Sequence, residues 1–191
     1  SKISMKKNTE EKMDAQEALA HFLSNYTNKT IHETENISER FLKQIKMKLE
    51  DKDTDINFIF SKLDSVGHNQ PIYFKQLPFI SLCEHHLLPF FGFVDIAIFP
   101  SQKIAGFSKF ADLVEHLSNQ LTLQEKLTET IVNAINDVLE CEGVFVRIKA
   151  KHLCSDMNNP KNSISDIITT YSTGLYELDY SLRSEAILNL N

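Results

Sequence analysis

The chain has 191 residues, 26 Asp+Glu against 20 Lys+Arg, and a formal net charge of -6; only three of the basic residues are arginine, Arg40, Arg147 and Arg183. The length suits one domain with a substantial core, and 42% hydrophobic with 24% charged residues is the composition of a soluble globular protein. An acidic chain this poor in arginine lacks the footprint of a nucleic-acid binder, no apolar run reaches the ~20 residues that span a membrane, and three cysteines make no disulfide framework, so the expected compartment is the cytoplasm.

Residues 1–9 are polar and basic and read as a frayed start. From Glu10 to about Asn25, Met13, Ala18, Leu19, Phe22 and Leu23 recur at helical spacing. The polar stretch Thr27 to Asn36 reads as a loop. Ser38 is then the expected N-cap of a second helix reaching about Glu50, with Phe41, Leu42, Ile45 and Leu49 on one face. Asp51 to Asp55 is a charged break, and Ile56 to Val66 fits helix or strand equally well.

Beyond this point β-branched and aromatic residues take over. Pro71 to Leu82 and Leu87 to Pro100 read as strands, the second alternating Phe93, Asp95, Ala97 with Val94, Ile96, Ile98. Two amphipathic helices follow. Ser108 to Asn119 carries Phe110, Leu113, Val114 and Leu117, and Thr122 to Leu139 carries Leu127, Ile131, Ala134, Ile135 and Val138. In the second, Thr122 and Glu125 have the spacing of a capping box. Val144 to Lys151 alternates Val144, Val146, Ile148, Ala150 with Phe145, Arg147, Lys149, Lys151, a half-buried strand. Asn158 to Asn162 is a loop, Ile164 to Tyr176 a strand, and Asp179 to Leu190 a closing helix. This order predicts an α+β fold on an antiparallel sheet rather than alternating βαβ units.

The residues that carry chemistry cluster in Cys83-Glu84-His85-His86 and His152-Leu153-Cys154. Two thiolates, one imidazole and an open fourth position make a catalytic zinc arrangement. Zinc lowers the pKa of a bound water toward ~7, and further histidines can carry protons at neutral pH. The residues alone leave this open against a plainer reading. A lone Cys in apolar surroundings is ordinarily a small buried hydrophobe, which is the reading for Cys141, and a lone His at a strand end is ordinarily structural. Likewise Gln124-Glu125 fits a helix start, and Lys149 and Lys151 fit a solvent-facing strand edge.

Four blocks, in order, resemble the GTP cyclohydrolase I family. Ser81-Leu82-Cys83-Glu84-His85-His86-Leu87-Leu88-Pro89-Phe90-Phe91-Gly92 is similar to its zinc-site signature. Ile104 to Ala111, Leu121 to Thr128 and Lys151 to Met157 are similar to its G-[LF]-S-K-[LF]-A, Q-E-[RK]-[LM]-T and H-x-C-x-x-M blocks. Ile37-Ser38-Glu39-Arg40 weakly resembles its T-P-x-R. The resemblance implies a tunnelling fold: a four-stranded antiparallel sheet with helices on one face, preceded by N-terminal helices, and a ring-forming oligomer, pentamer or decamer. It divides the chain into an N-terminal helical region, 1–66, and a catalytic domain, 67–191.

Carried onto this sequence, it implies Cys83, His86 and Cys154 as ligands of Zn2+ and His85 and His152 as catalytic histidines. Gln124 and Glu125 would hold the guanine ring, Glu125 taking the N1–H and 2-amino edge. Ser108 and Lys109 would lie along ribose and triphosphate. The activity implied is hydrolytic opening of the guanine imidazole at C8, with C8 leaving as formate before closure to a dihydropterin.

The departures from the family concern phosphate. Its S-K-L-A-R arginine is Asp112 here, and the arginine and glycine that follow its methionine are Asn158 and Asn159. Lost arginine forks plus a repelling carboxylate weaken a triphosphate by on the order of a thousandfold or more. Lys109 remains, Lys151 replaces a usually uncharged residue next to His152, and Lys75 lies in the strand before the zinc motif; Lys109 and Lys151 are the expected substrate contacts, as point charges that compensate only in part. The sequence therefore carries an alternative, a family enzyme acting on a less phosphorylated or unphosphorylated purine. A non-catalytic regulatory paralogue is a further alternative, against which the intact Cys83, His85, His86, His152, Cys154 set argues.

Overall fold

The computed structural model describes residues 14–49, 55–65, 67–158 and 166–191, the side chain of Asn158 excepted. The frayed start, the charged break over 51–54, Val66 and the loop over 159–162, with Asn159, lie outside them. The chain divides into two compact units, Ser1–Met47 and Lys48–Asn191.

The first unit holds α1 (Ala15–Tyr26) and most of α2 (Ile31–Leu49). The second helix begins earlier than the polar composition of 27–36 predicts. Thr30 and Glu33 form a reciprocal capping box: the Glu33 carboxylate accepts from the Thr30 N–H, and Thr30 Oγ1 accepts from the Glu33 N–H. Ser38, expected as the N-cap, is therefore an interior and buried helix residue.

In the second unit, the ambiguous segment resolves into α3 (Ile56–Ile59) and β1 (Leu63–Ser65), which pairs with β4 (Lys103–Ala105). The main sheet has four long antiparallel strands: β2 (Ile72–Cys83), β3 (Pro89–Phe99), β6 (Gly143–His152) and β7 (Ile167–Gly174). A two-residue strand, β5 (Leu121–Thr122), runs parallel to the end of β2. Between β3 and β6 the chain makes α4 (Ser108–Ser118) and α5 (Gln124–Leu139). After β6 come α6 (Leu153–Asn158), then α7 (Leu175–Leu178) and α8 (Tyr180–Leu190), the last capped by the Asp179 carboxylate.

The period of two in β3 and β6 divides the sheet into faces. Val94, Ile96, Ile98, Val146 and Ile148 face α4 and α5, meeting Phe110, Leu113, Leu127, Ile131 and Ile135 in the main core. On the other face, Ala97, Phe145 and Tyr176 pack with Ala186 and Leu190 of α8. Helices thus cover both faces, not one as expected, because the apolar Ala97 and Phe145 give α8 a seat there.

In β2 the core face is set by a bulge. Register shifts between Phe74 and Leu77, Gln76 has φ 57°, and its N–H donates to Asp95 Oδ1 at 2.8 Å. The shift changes parity, so Phe74, Phe79 and finally Cys83 all belong to the main core.

Candidate active site

The site forms where the ends of β2 and β6 meet the start of α5. Beyond Cys83 the chain turns through Glu84 to Leu88 into β3. His86 N–H and Leu87 N–H both donate to Cys83 O, at 3.3 and 2.9 Å, and Cys83 N–H donates to Leu88 O at 2.9 Å. Leu87 sits in the left-handed region with φ 57°, a conformation that costs a non-glycine residue of order 1 kcal/mol. This tight turn folds His86 back over Cys83, its Nδ1 3.7 Å from the sulfur.

The third candidate ligand arrives from β6. The strand ends at His152 and the chain turns at once into α6, which carries Cys154. One ligand atom from each of Cys83, His86 and Cys154 lies within 4.8 Å of the other two. Cys83 is buried, Cys154 half-buried and His86 exposed. Burial and the neighbouring Cys83 raise the Cys154 thiol above its usual value; a cation between the sulfurs acts the opposite way, because it favours thiolate.

His152 is held on two sides. Its ring stacks on buried Phe90, centroids 4.8 Å apart and planes at 12°. Its Nε2 lies 2.7 Å from Gln124 Oε1. Burial lowers its pKa below the ordinary histidine value, an effect the nearby Glu125 carboxylate opposes. His85 is exposed on the turn, its ring edge-on to His86 at 6.1 Å.

Glu125 is exposed in the first turn of α5. The capping box expected for it is not made. Thr122 pairs with Cys83 as β5, the N-cap position falls on Leu123, and no side chain caps the helix. The carboxylate is thus not used as a cap, and its charge acts on His152.

Three other expectations meet a different geometry. Gln124, placed by the sequence reading against a guanine ring, is 1% exposed, and its amide is spent on protein partners. Lys151 lies on the opposite sheet face from His152, because adjacent strand residues point to opposite sides. It lines an 890 Å³ groove there with Phe91, Phe93, Lys149 and Arg147, so within one chain it does not reach the cysteines. Lys109 does not stand free beside exposed Ser108 at the start of α4: its Nζ pairs with Asp112 Oδ2 at 3.1 Å.

Three further cations are also engaged. Lys75 donates to Asn191 O, Lys149 pairs with Asp166, and Arg147 with Asp95. Phe90, Thr128 and Thr169 went unrecognised in the sequence. Phe90 and His152 are register partners across β3 and β6, which strand alternation could have exposed.

A family model described as GTP cyclohydrolase I matches residues 13–191. Among curated proteins, GTP cyclohydrolase 1 of Fusobacterium nucleatum is 42% identical over 135 residues, covering 71% of this chain and 72% of its own. GTP cyclohydrolase 1 of Streptococcus suis is 41% identical over 129 residues, 67% of this chain and 69% of its own. GTP cyclohydrolase 1 of Streptococcus gordonii is 42% identical with the same coverage.

Proposed function

The chain belongs to the GTP cyclohydrolase I family, and from that premise we propose that it is a zinc-dependent hydrolase opening the imidazole ring of a guanine-containing substrate at C8. The observation that carries this reading is the convergence of Cys83, His86 and Cys154 ligand atoms within 4.8 Å. Two thiols and an imidazole nitrogen suit zinc, whose tetrahedral ligand atoms stand roughly 3.3–3.8 Å apart at ordinary bond lengths. A small contraction of the present arrangement meets that spacing.

Zinc bound there supplies Lewis-acid activation of water for attack at C8. The protein's own groups do the rest. Glu125 accepts from the N1–H and 2-amino edge of guanine and sets the ring's orientation. His152 exchanges a proton with N7, which makes C8 electrophilic. His85, exposed on the turn, carries protons between the site and solvent. Ser108 and Lys109 bear on the ribose and its phosphates.

One observation favours a second reading of the substrate. Lys109 is neutralised by Asp112, and a paired lysine is a weak phosphate ligand. On that reading the enzyme takes guanosine or guanosine monophosphate in preference to the triphosphate. The test is incubation of zinc-loaded protein with GTP, GMP, guanosine and guanine, following formate release and pterin absorbance. Formate from any of them supports the hydrolase. A higher kcat/KM for guanosine or GMP than for GTP supports the second reading, and no formate from any of them overturns both.

We also infer self-association into a pentamer or decamer, in the cytoplasm. In support, β7 carries no further strand on its outer side among the described residues, and a bare sheet edge is a template for pairing. No described helix is long and apolar enough to cross a membrane. Analytical ultracentrifugation tests the assembly, with five or ten chains of 21.9 kDa expected and a monomer the contrary result.

A further inference from the structure

Gln124 sits at the centre of a hydrogen-bond circuit that fixes the orientation of its side-chain amide. Its Nε2 lies 3.2 Å from Ile148 O, 3.1 Å from Ile167 O and 3.1 Å from Thr169 Oγ1. Two of these are backbone carbonyls, which only accept, so the atom facing them must be the amide nitrogen. Thr128 Oγ1 donates to Gln124 O at 2.7 Å, which uses its one hydrogen. At the 2.7 Å contact between Thr128 Oγ1 and Thr169 Oγ1, the donor is therefore Thr169. The two amide hydrogens go to Ile148 O and Ile167 O, with Thr169 Oγ1 sharing one of them; Thr169 donates to Thr128, and Thr128 donates to the Gln124 carbonyl. Gln124 and Thr128 are each 1% exposed, so the bonds between them and to Ile148 O are closed to water, and those to Ile167 and Thr169 are partly so.

The circuit leaves the amide no freedom to flip. Oε1 must face His152, and an amide oxygen only accepts, so at 2.7 Å the His152 Nε2 must carry a hydrogen. Phe90, stacked on the ring, opposes rotation out of that bond. His152 Nδ1 has no hydrogen-bond partner among the described residues.

We propose that Gln124, Thr128 and Thr169 are positioning residues that fix His152 as its Nε2–H tautomer, so that Nδ1 is the one ring nitrogen that exchanges a proton with substrate. The inference deepens the proposed function and rests on its assignment of His152 as the proton carrier. It removes Gln124 from the substrate-contacting groups and leaves the guanine edge to Glu125. The proton accounting is simple. In the neutral ring Nδ1 holds a lone pair and accepts, and in the protonated ring Nδ1–H donates. Nε2–H is unchanged throughout, and the Gln124 bond persists in both states. An orienting acceptor behind a catalytic histidine is a general device, and loss of the correct tautomer in a serine-protease triad lowers turnover by roughly 10⁴.

The tautomer is read directly by solid-state nitrogen NMR on zinc-loaded protein labelled with 15N-histidine, with His152→Gln used to assign the signal. A protonated-type Nε2 and an unprotonated-type Nδ1 at pH above the ring's titration are expected. A proton on Nδ1 instead overturns the proposal. This measurement uses no substrate, so absence of turnover on every guanine compound would sink the proposed function while leaving the tautomer result standing.

Kinetics supply the second arm. Gln124→Leu is expected to lower kcat by about a hundredfold, to leave KM within twofold and zinc stoichiometry unchanged, and to mix the two tautomers. A rise in KM with kcat intact would put Gln124 on the substrate and overturn the proposal. Should Gln124→Leu not fold, Thr169→Val removes only the hydroxyl. It is expected to lower kcat severalfold, with Thr169→Ser restoring it; equal loss in both variants overturns the circuit's role.

Discussion

Lys109 Nζ lies 3.1 Å from Asp112 Oδ2, one turn apart on α4. The two occupy the block in which the family resemblance expects a lysine and an arginine, both cationic. Substitution of the second by a carboxylate therefore cancels the charge of the first. Both side chains are substantially exposed, so the pair is screened and worth at most ~1 kcal/mol. Asp112→Asn should tighten GTP by about two- to fivefold on that scale and leave guanosine unchanged, and Asp112→Arg should tighten GTP further. Calorimetric affinities at low salt check this. Equal effects on GTP and guanosine would place the pair away from the phosphates.

The two cysteines and His152 should separate cleanly on substitution. On the proposed assignment Cys83→Ala or Cys154→Ala removes one of three ligands, so zinc content and formate release should fall together, each below a tenth of the parent. His152→Ala removes no ligand, and should retain one zinc per chain while turnover drops by 10² or more. Metal analysis alongside the formate assay distinguishes them. Zinc loss in His152→Ala would move that histidine into the ligand set.

Asp95 holds two features of the sheet at once. Its carboxylate accepts from Arg147 Nε and Nη2 at 3.1 and 2.8 Å and from the Gln76 N–H in the β2 bulge. One of only three arginines is thus committed to the fold. Arg147→Met would leave a buried carboxylate without its partner, which typically costs 3–5 kcal/mol. The chemical-denaturation midpoint should fall accordingly, whereas Asp95→Asn with Arg147→Met should recover part of it. Because the bulge sets the face on which Cys83 lies, the single variant should also lose zinc affinity.

Gly92 tests the closeness of β3 to β6. A Cβ there would stand 2.0 Å from Lys149 O and 2.8 Å from Ala150 Cα, both backbone atoms that side-chain rotation cannot move aside. Gly92→Ala must therefore spread the strands two residues from the Phe90–His152 register pair. A loss of several kcal/mol is expected, at the upper end for single substitutions, read from the denaturation midpoint. A fully stable variant would show that the strands separate without cost.

The α+β class, the long strands and the Cys83-His86 half of the clustered side chains were legible because each is written locally: alternation for strands, a helical stripe for α4 and α5, and a Cys-x-x-His turn. Elements set by partners distant in sequence were not. Thr122 and Glu125 have capping-box spacing, but the backbone of Thr122 is claimed by Cys83 in a parallel pair. Gln124 looks like an ordinary first-turn residue because its partners lie 24, 43 and 45 residues away. The Thr30–Glu33 box was readable but hidden in a stretch whose polarity suggested a loop. Lys151 is different again. The strand alternation already put it opposite Ala150, hence opposite His152, and only its place next to His152 in sequence, where the family usually has an uncharged residue, suggested it as a stand-in for the missing arginines.

Cys141 is the thiol left outside the metal set, and burial raises its pKa to about 12 from an ordinary 9.0. Two consequences follow. At pH 8 the thiolate is scarce, so iodoacetamide should modify Cys141 far more slowly than Cys154 once a chelator has removed the metal. Peptide mapping of the labelled cysteines checks this, and faster labelling at Cys141 would contradict its burial. The second consequence is a stability effect with a definite sign. The folded pKa lies above the unfolded one, so the unfolded chain releases its proton first as pH rises. The contribution to stability is complete below about pH 9 and is progressively lost between pH 9 and pH 12. Cys141→Val, which keeps an apolar side chain but cannot ionise, should match the parent's denaturation midpoint at pH 7.5 after a constant offset. It should then lose less than the parent on transfer to pH 10.5. All other ionisable groups are common to both proteins, so the informative quantity is the difference between the two curves, and parallel curves would show that the Cys141 thiol ionises as freely in the folded chain as in the unfolded one.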